Sequence, residues 1–422
     1  MKEMKVNGIT KVEGHARLTL RWEGKKVSLC SLDVFESPRY FESMITGRKW
    51  NEVPYFASRI CGMCCVSHSI GAAISIEKAL GIKVSGQTNL LRVAMALGGI
   101  LHSHALHLSM LALPDYMGYD SALDMTKTHK NLIIDSLKLK DSGNVLAEAI
   151  GGRSMQPINS VVGGFTKIPD REAIDKSIKS LENARPTAFS LFELFDSFDG
   201  PSFTFDTEML SLGGKGYPII SGEMTPLIAK RFPQEDYSKM LKEEVVEHST
   251  SKHVSFNGKT YMTGPLPRVI IHPEGLSKEA GKLARKIDVS EKNVFDMNRA
   301  RAIEIIHCID RSIEILSSLT PRHEKPILPV SMSGNGVGIT EAPRGILIHS
   351  YGIKNGRVVS SDIIPPTTQN TLNMETALRQ LAEKMLTEGV SEEKMKKNME
   401  MLIRAYDPCF SCSAHFLELN NI

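Results

Sequence analysis

The chain opens on a two-residue alternation of apolar and polar positions. Arg17-Leu18-Thr19-Leu20-Arg21-Trp22 alternates, Glu23-Gly24-Lys25-Lys26 has the composition of a turn, and Val27 to Val34 alternates again. Residues 6–34 therefore read as strands. The period then lengthens to that of a helix. Helical patterns run over 67–80, 88–111, 121–150, 170–196, 277–287, 294–318, 372–388 and 391–406. Between them, Gly and Pro are frequent from about 199 to 275, and a further stretch from 325 to 370 alternates around an Asn355-Gly356 turn. No repeat, low-complexity tract or long linker interrupts the pattern. The expected fold is α+β and predominantly α, a long helical bundle core with small peripheral sheets. Residues 1–415 read as one integrated domain and 416–422 as a short tail.

Composition narrows the class. Over 422 residues, 41% are apolar and 23% charged, ordinary values for a globular chain with a deep core. A net charge of +3 gives no reason to expect nucleic acid or an anionic membrane. No run of about 18 uninterrupted apolar residues points to a membrane span. Met1-Lys2-Glu3-Met4-Lys5-Val6 lacks the apolar core of a secretory signal, so the cytoplasm is expected.

Candidate chemistry lies in the cysteines. Cys61-Gly62-Met63-Cys64 near the start and Cys409-Phe410-Ser411-Cys412 near the end each place two thiols in a small volume. Four soft ligands suffice for a transition metal. On spacing alone, a four-cysteine zinc site fits best. Structural zinc usually staples a small local unit, however, whereas these pairs are separated by almost the whole chain. Cys30 and Cys308 stand alone in apolar surroundings and read as packing, as does Cys65 beside the first motif. An odd count of seven argues against a disulfide scaffold. Gly151-Gly152-Arg153 and Gly163-Gly164 fit neither common nucleotide-binding glycine motif.

The residues around the cysteines go further. Arg59-Ile60-Cys61-Gly62-Met63-Cys64-Cys65-Val66-Ser67-His68 and Asp407-Pro408-Cys409-Phe410-Ser411-Cys412-Ser413-Ala414-His415 resemble the paired signatures of nickel-iron hydrogenase large subunits. The resemblance implies that family's large-subunit fold and reversible heterolytic cleavage of H2 to protons and electrons. It implies that Cys61 and Cys409 are terminal nickel ligands and that Cys64 and Cys412 bridge nickel to an iron carrying carbon monoxide and cyanide. Val12-Glu13-Gly14-His15 is similar to the family's E-G-H motif, which implies a proton relay at Glu13. Glu341-Ala342-Pro343-Arg344-Gly345 resembles its E-x-P-R-G loop, which implies that Arg344 acts beside the metals and a cyanide. In the same terms, Cys409 or Arg344 receives the first proton. Pro366-Thr367-Thr368-Gln369-Asn370 is similar to a P-[ST]-T-W-N loop, with Gln369 in place of tryptophan, and implies a cyanide contact at Thr367. Arg39-Tyr40-Phe41-Glu42 with Gly47-Arg48 resembles the R-x-x-E…G-R segment, implying that Glu42 and His415 bind magnesium or a similar cation.

Other signals are weaker. His102, His104 and His107 share a helical segment and read as packed, hydrogen-bonded histidines. Glu247-His248-Ser249 and Lys252-His253 are given a supporting or proton-path role. Gln156 stands where many relatives have histidine. The chain has no cysteines to spare for an iron-sulfur cluster of its own, so an iron-sulfur small subunit is expected as partner, with further electron-transfer subunits. The middle of the chain resembles alpha subunits of cytoplasmic heteromultimeric enzymes, the NADP-linked sulfhydrogenases first and the viologen-reducing and deazaflavin-reducing methanogen types next. The resemblance also implies a maturation peptidase that cuts after His415. The rival readings are a metal-free subunit of the respiratory-complex type, serving quinone binding or structure, and a binding protein stapled by zinc.

Overall fold

The computed structural model describes residues 1–288 and 292–414. About 49% is helix and 20% strand, so the predominantly helical α+β class holds. The first alternation forms β1 (Lys2–Asn7), β2 (Ala16–Glu23) and β3 (Lys26–Val34), an antiparallel sheet in that order. Glu23 pairs with Lys26 at the expected turn. β1 lies mostly ahead of the predicted stretch; with only Met4 and Val6 apolar, it is too short for its pattern to stand out.

Five long helices follow: α1 (Cys65–Leu80), α2 (Gly86–Leu106), α3 (Lys130–Gly151), α4 (Arg171–Ser197) and α5 (Asp296–Ser318). The last four close a ring, α2 on α3, α3 on α4, α4 on α5 and α5 on α2. Side-chain caps set their starts: Ser85 Oγ accepts from Thr88 N at 3.0 Å and Asp170 Oδ1 from Ala173 N at 2.9 Å. α2 and α3 cross where both carry glycine. A Cβ on Gly143 would come within 2.6 Å of the Gly98 carbonyl. α2 does not run on as α-helix to 111. Pro114 lacks the N–H that the ladder needs, and His107–Ala112 loosens into a π turn in which Leu113 N reaches back to Leu108 O. The predicted helix over 121–150 is also divided, into Ala122–Met125 and α3. Between them Thr128 and His129 bond to each other and to Tyr119. The stretch Gly86–Met117 is by length and mean hydropathy alone apolar enough to cross a membrane, but 78% of its apolar window is buried inside the fold.

The β-rich stretches are small sheets. β4 (Glu208–Gly213), β5 (Glu223–Pro226) and β8 (Tyr261–Met262) form one, in the order β8-β4-β5, and β6 (Leu241–Glu244) pairs with β7 (His253–Phe256). β9 (Gly334–Ala342), β10 (Gly345–Lys354) and β11 (Arg357–Ile364) form an antiparallel sheet with Asn355-Gly356 as the predicted turn. The alternate glycines of β9 let α1 lie against it: a Cβ on Gly336 would meet Ser75 O at 2.0 Å, and one on Gly338 would meet Gly71 O at 2.3 Å.

The last helices among the described residues are α6 (Pro366–Glu388), α7 (Glu392–Tyr406) and the short α8 (Phe410–Ser413). Residues 366–370, expected as loop, are the first turns of α6. Pro366 occupies the first helical position, where its missing N–H costs nothing. The polar residues that hid this helix from the apolar pattern, Thr367 to Asn370, are all buried.

Candidate metal centre

The two cysteine pairs come from loops that end on helices. Cys64 is the residue before α1 and Cys409 the residue before α8. After α7 the chain reverses at Asp407, which takes a left-handed conformation at φ 53°, and Pro408 prevents the helix from continuing. Cys61 Sγ lies 3.5 Å from Cys409 Sγ and Cys64 Sγ 3.7 Å from Cys412 Sγ. All four sulfurs fall within 4.8 Å of one another and all four residues are buried. Cys409 and Cys412 are joined as a disulfide here, where four free thiolates were expected; a metal held by all four takes that pair in reduced form.

The two loops are tied from outside. Arg39 donates to Ile60 O, beside Cys61, and at 2.9 Å to Ser411 O, beside Cys412. Glu13 O accepts from Phe410 N at 2.9 Å, and Thr367 Oγ1 accepts from Cys409 N, also at 2.9 Å. Glu13 Oε2 stands 3.0 Å from Cys409 Sγ and accepts from Ser411 N at 3.2 Å, while Ser411 Oγ donates to the other oxygen. The approach requires Gly14, whose Cβ would meet Ser411 N at 2.8 Å. Arg344 sits in the turn between β9 and β10. Its Nε donates to Asp407 O and its Nη2 to Asp407 Oδ1 at 3.0 Å.

The profile of the family described as nickel-dependent hydrogenase matches residues 39–148 and 222–415. The chain is 36% identical to the sulfhydrogenase 1 subunit alpha of Pyrococcus furiosus, over 98% of both chains. It is 28% identical to the HoxS subunit beta of the NAD-reducing hydrogenase of Cupriavidus necator, over 99% of this chain and 95% of that one. The chain belongs to the nickel-dependent hydrogenases, as their large, catalytic subunit. Solved structures share the fold: a NAD+-reducing [NiFe]-hydrogenase at TM-score 0.90 and 24% identity, covering 98% of this chain and all of that one. The Ni-Fe-Se hydrogenase of D. vulgaris Hildenborough aligns at TM-score 0.80 and 22% identity, covering 98% and 100%.

The electrostatics of this hydrogenase fit a metal at the four sulfurs. Arg344 is buried, its Nη1 has no hydrogen-bond partner, and Asp407, Cys61 and Cys64 together hold its proton against the opposing effect of burial. A buried cation with a donor to spare is suited to a negatively charged cluster. The hydrogen bond from Cys64 lowers the Cys61 thiol to about 7, while Cys64, the donor and fully buried, is driven up. One thiolate of this pair is thus available near neutrality. Burial raises Asp407, but the cations Arg344 and Arg301 outweigh it and keep the carboxylate ionised.

Not every expected residue comes to the sulfurs. Glu42 Oε1 accepts from Ile363 N at 2.7 Å, and the residue lines a cavity of about 350 Å³ with Glu243, Lys252, Cys412 and Ala414. His415, its expected cation partner, lies outside the described residues. His104 and His107 are packed and hydrogen-bonded as expected, His104 Nε2 with Glu304 at 2.7 Å and His107 Nε2 with Arg404 O at 2.8 Å, whereas His102 is buried with neither ring nitrogen hydrogen-bonded. Cys30, Cys65 and Cys308 are buried and are not among the four grouped sulfurs, and Gln156 N donates to Cys65 Sγ at 3.1 Å. Arg268 went unnoticed in the sequence. It is fully buried, grips Glu304 through Nε and Nη2 at 2.6 and 2.7 Å, and donates to Glu341, Ala342 O and Pro343 O. It therefore fixes the turn that carries Arg344. Its only sequence signal is an arginine inside the apolar run Pro265–Ile271. Asp407 and Arg39 were visible within motifs, but their roles depend on contacts across the chain.

Proposed function

We propose that Cys61, Cys64, Cys409 and Cys412 hold a nickel-iron centre whose iron carries carbon monoxide and cyanide, and that H2 is split or formed there reversibly. The observation that carries this reading is the convergence of four buried sulfurs from opposite ends of the chain, with Glu13 at one of them and Arg344 beside the set. When bound, the metals supply Lewis acidity for polarising H2. The chain's residues do the rest. Cys409 in its thiolate form takes the first proton; Arg344, the other expected acceptor, is already a cation. Glu13, 3.0 Å from Cys409 Sγ, moves it outward, with Ser411 holding the carboxylate in place. Arg344 keeps one donor unspent for a charged ligand of the centre, and Asp407 fixes its plane. Thr367 accepts from Cys409 N, which leaves its hydroxyl proton free to point at a cyanide.

Glu42, at the cavity beside Cys412, would bind magnesium or a similar hard cation, with His415 as the second ligand that the resemblance implies. Electrons would leave through an iron-sulfur small subunit and further subunits to a soluble acceptor of the NAD(P) kind, which places the complex in the cytoplasm. Residues 1–415 act as one integrated domain, and a peptidase removes 416–422 on maturation. The named relatives are subunits alpha and beta of larger enzymes, which supports an assembly of this kind. The test is hydrogen-dependent reduction of an artificial dye by the natively purified complex, with a Cys409→Ser control. Dye reduction in the parent and none in the variant is expected; equal rates in both would overturn the assignment.

A further inference from the structure

A second group of metal-type ligands lies apart from the cysteines. His248, His253 and Glu375 bring one ligand atom each to within 4.8 Å of one another. They arrive from separate elements: His248 from the segment after β6, His253 from the start of β7, and Glu375 from the middle of α6. His248 Nε2 is 2.8 Å from Glu375 Oε1 and His253 Nε2 3.4 Å from Glu375 Oε2. A tetrahedral ion with ligands at about 2.1 Å would hold them about 3.4 Å apart, so little movement is needed.

Three further observations favour an ion over a plain hydrogen-bonded pair. His253 is 8% exposed, yet its Nε2 is buried and has no hydrogen-bond partner. A buried ring nitrogen aimed at a carboxylate without bonding to it is costly unless something else uses its lone pair. Leu32 N donates to Glu375 Oε1 at 2.7 Å, the kind of outer support that orients a ligating carboxylate. Asp33 faces His248 and Glu244 faces His253, whereas the nearby Lys252 is paired with Glu243 at 3.3 Å. The local charge therefore favours a dication, and the exposed His248 gives it an entry path.

We propose that His248, His253 and Glu375 form a second metal site for a zinc-class divalent ion, with water completing the coordination. Two imidazoles and one carboxylate suit such an ion better than magnesium or calcium, which prefer oxygen. The site has a structural consequence. Thr367, Thr371 and Glu375 follow one another at four-residue steps along one face of α6. Thr367 holds Cys409 N, Thr371 Oγ1 meets Ser251 Oγ at 3.2 Å, and Ser251 bridges to Ala414. An ion at Glu375 would pin the 248–253 segment to the same helix face that holds the C-terminal cysteine loop.

The test is equilibrium dialysis of the purified complex against zinc, counted by elemental analysis in the parent and in His253→Ala, His248→Ala and Glu375→Gln. About one zinc per chain is expected in the parent, bound at least tenfold more weakly in each variant, with nickel and iron content unchanged. His248 is exposed, so His248→Ala keeps the test valid if a buried variant does not fold. Equal zinc in parent and His248→Ala, or no zinc taken up by the parent, would overturn the site.

Discussion

Arg268 and Arg344 are both buried arginines on either side of one β-turn, and they are used in opposite ways. Arg268 spends all three nitrogens on Glu304, Glu341 and two carbonyls of the turn. Arg344, at the turn's tip, spends two nitrogens on Asp407 and keeps the third unpaired beside the cysteines. A buried donor without a partner is costly, and chains keep few of them. The satisfied arginine reads as scaffold, and the unsatisfied one marks where the charge of a bound group belongs. Residues that touch the sulfurs should therefore control turnover, and residues behind them should control stability.

The largest expected effect is on the cysteines themselves. Cys412→Ser should abolish hydrogen turnover together with nickel binding, read by elemental analysis of the same sample, because serine is a poor ligand for soft metals. Glu13→Gln should keep the metals but lower turnover by roughly 10²–10⁴-fold in both directions, the range for loss of a positioned proton carrier. Arg344→Lys keeps the charge and loses the planar fork; turnover should fall by roughly 10²–10³-fold with little change in thermal stability. Arg268→Leu should do the reverse. It strands Glu304 and Glu341, and chemical unfolding should show a loss of about 3–5 kcal/mol. If Arg268→Leu left stability intact and removed only turnover, the division between the two arginines would be wrong.

The last expected effect is on acid stability. Burial lowers His104 to about 4, His107 to about 3 and His307 to about 4. Each stays neutral in the fold while its unfolded counterpart takes a proton below about pH 6.5. The unfolded state then binds more protons, so stability is full above pH 6.5 and falls as the pH drops towards 4. Each group contributes a slope of up to about 1.4 kcal/mol per pH unit in that window. Denaturant titrations at pH 7 and pH 5 would read it; a higher midpoint at pH 5 would contradict the assignment.

Much of this was legible in the sequence because it is local. The cysteine spacing, the E-G-H motif and the 341–345 turn each place their chemistry within a few residues. The long helices announced themselves by period, and the Asn355-Gly356 hairpin by composition. What escaped has a common cause. Residues 366–370 are helical but polar on their buried side, because they face Cys409, Tyr261 and the Thr263 backbone rather than an apolar core. Arg268, Arg39 and Asp407 act through partners tens to hundreds of positions away. The apolar stretch from Gly86 to Met117 fills a bundle core, and its length alone does not distinguish that use from a membrane span.

The most direct test is an infrared spectrum of the natively purified complex, with nickel, iron and zinc measured on the same sample. Bands of metal-bound carbon monoxide and cyanide, with nickel and iron both present, are predicted. A spectrum blank in that region, with zinc as the only metal at the four cysteines, would contradict the nickel-iron centre.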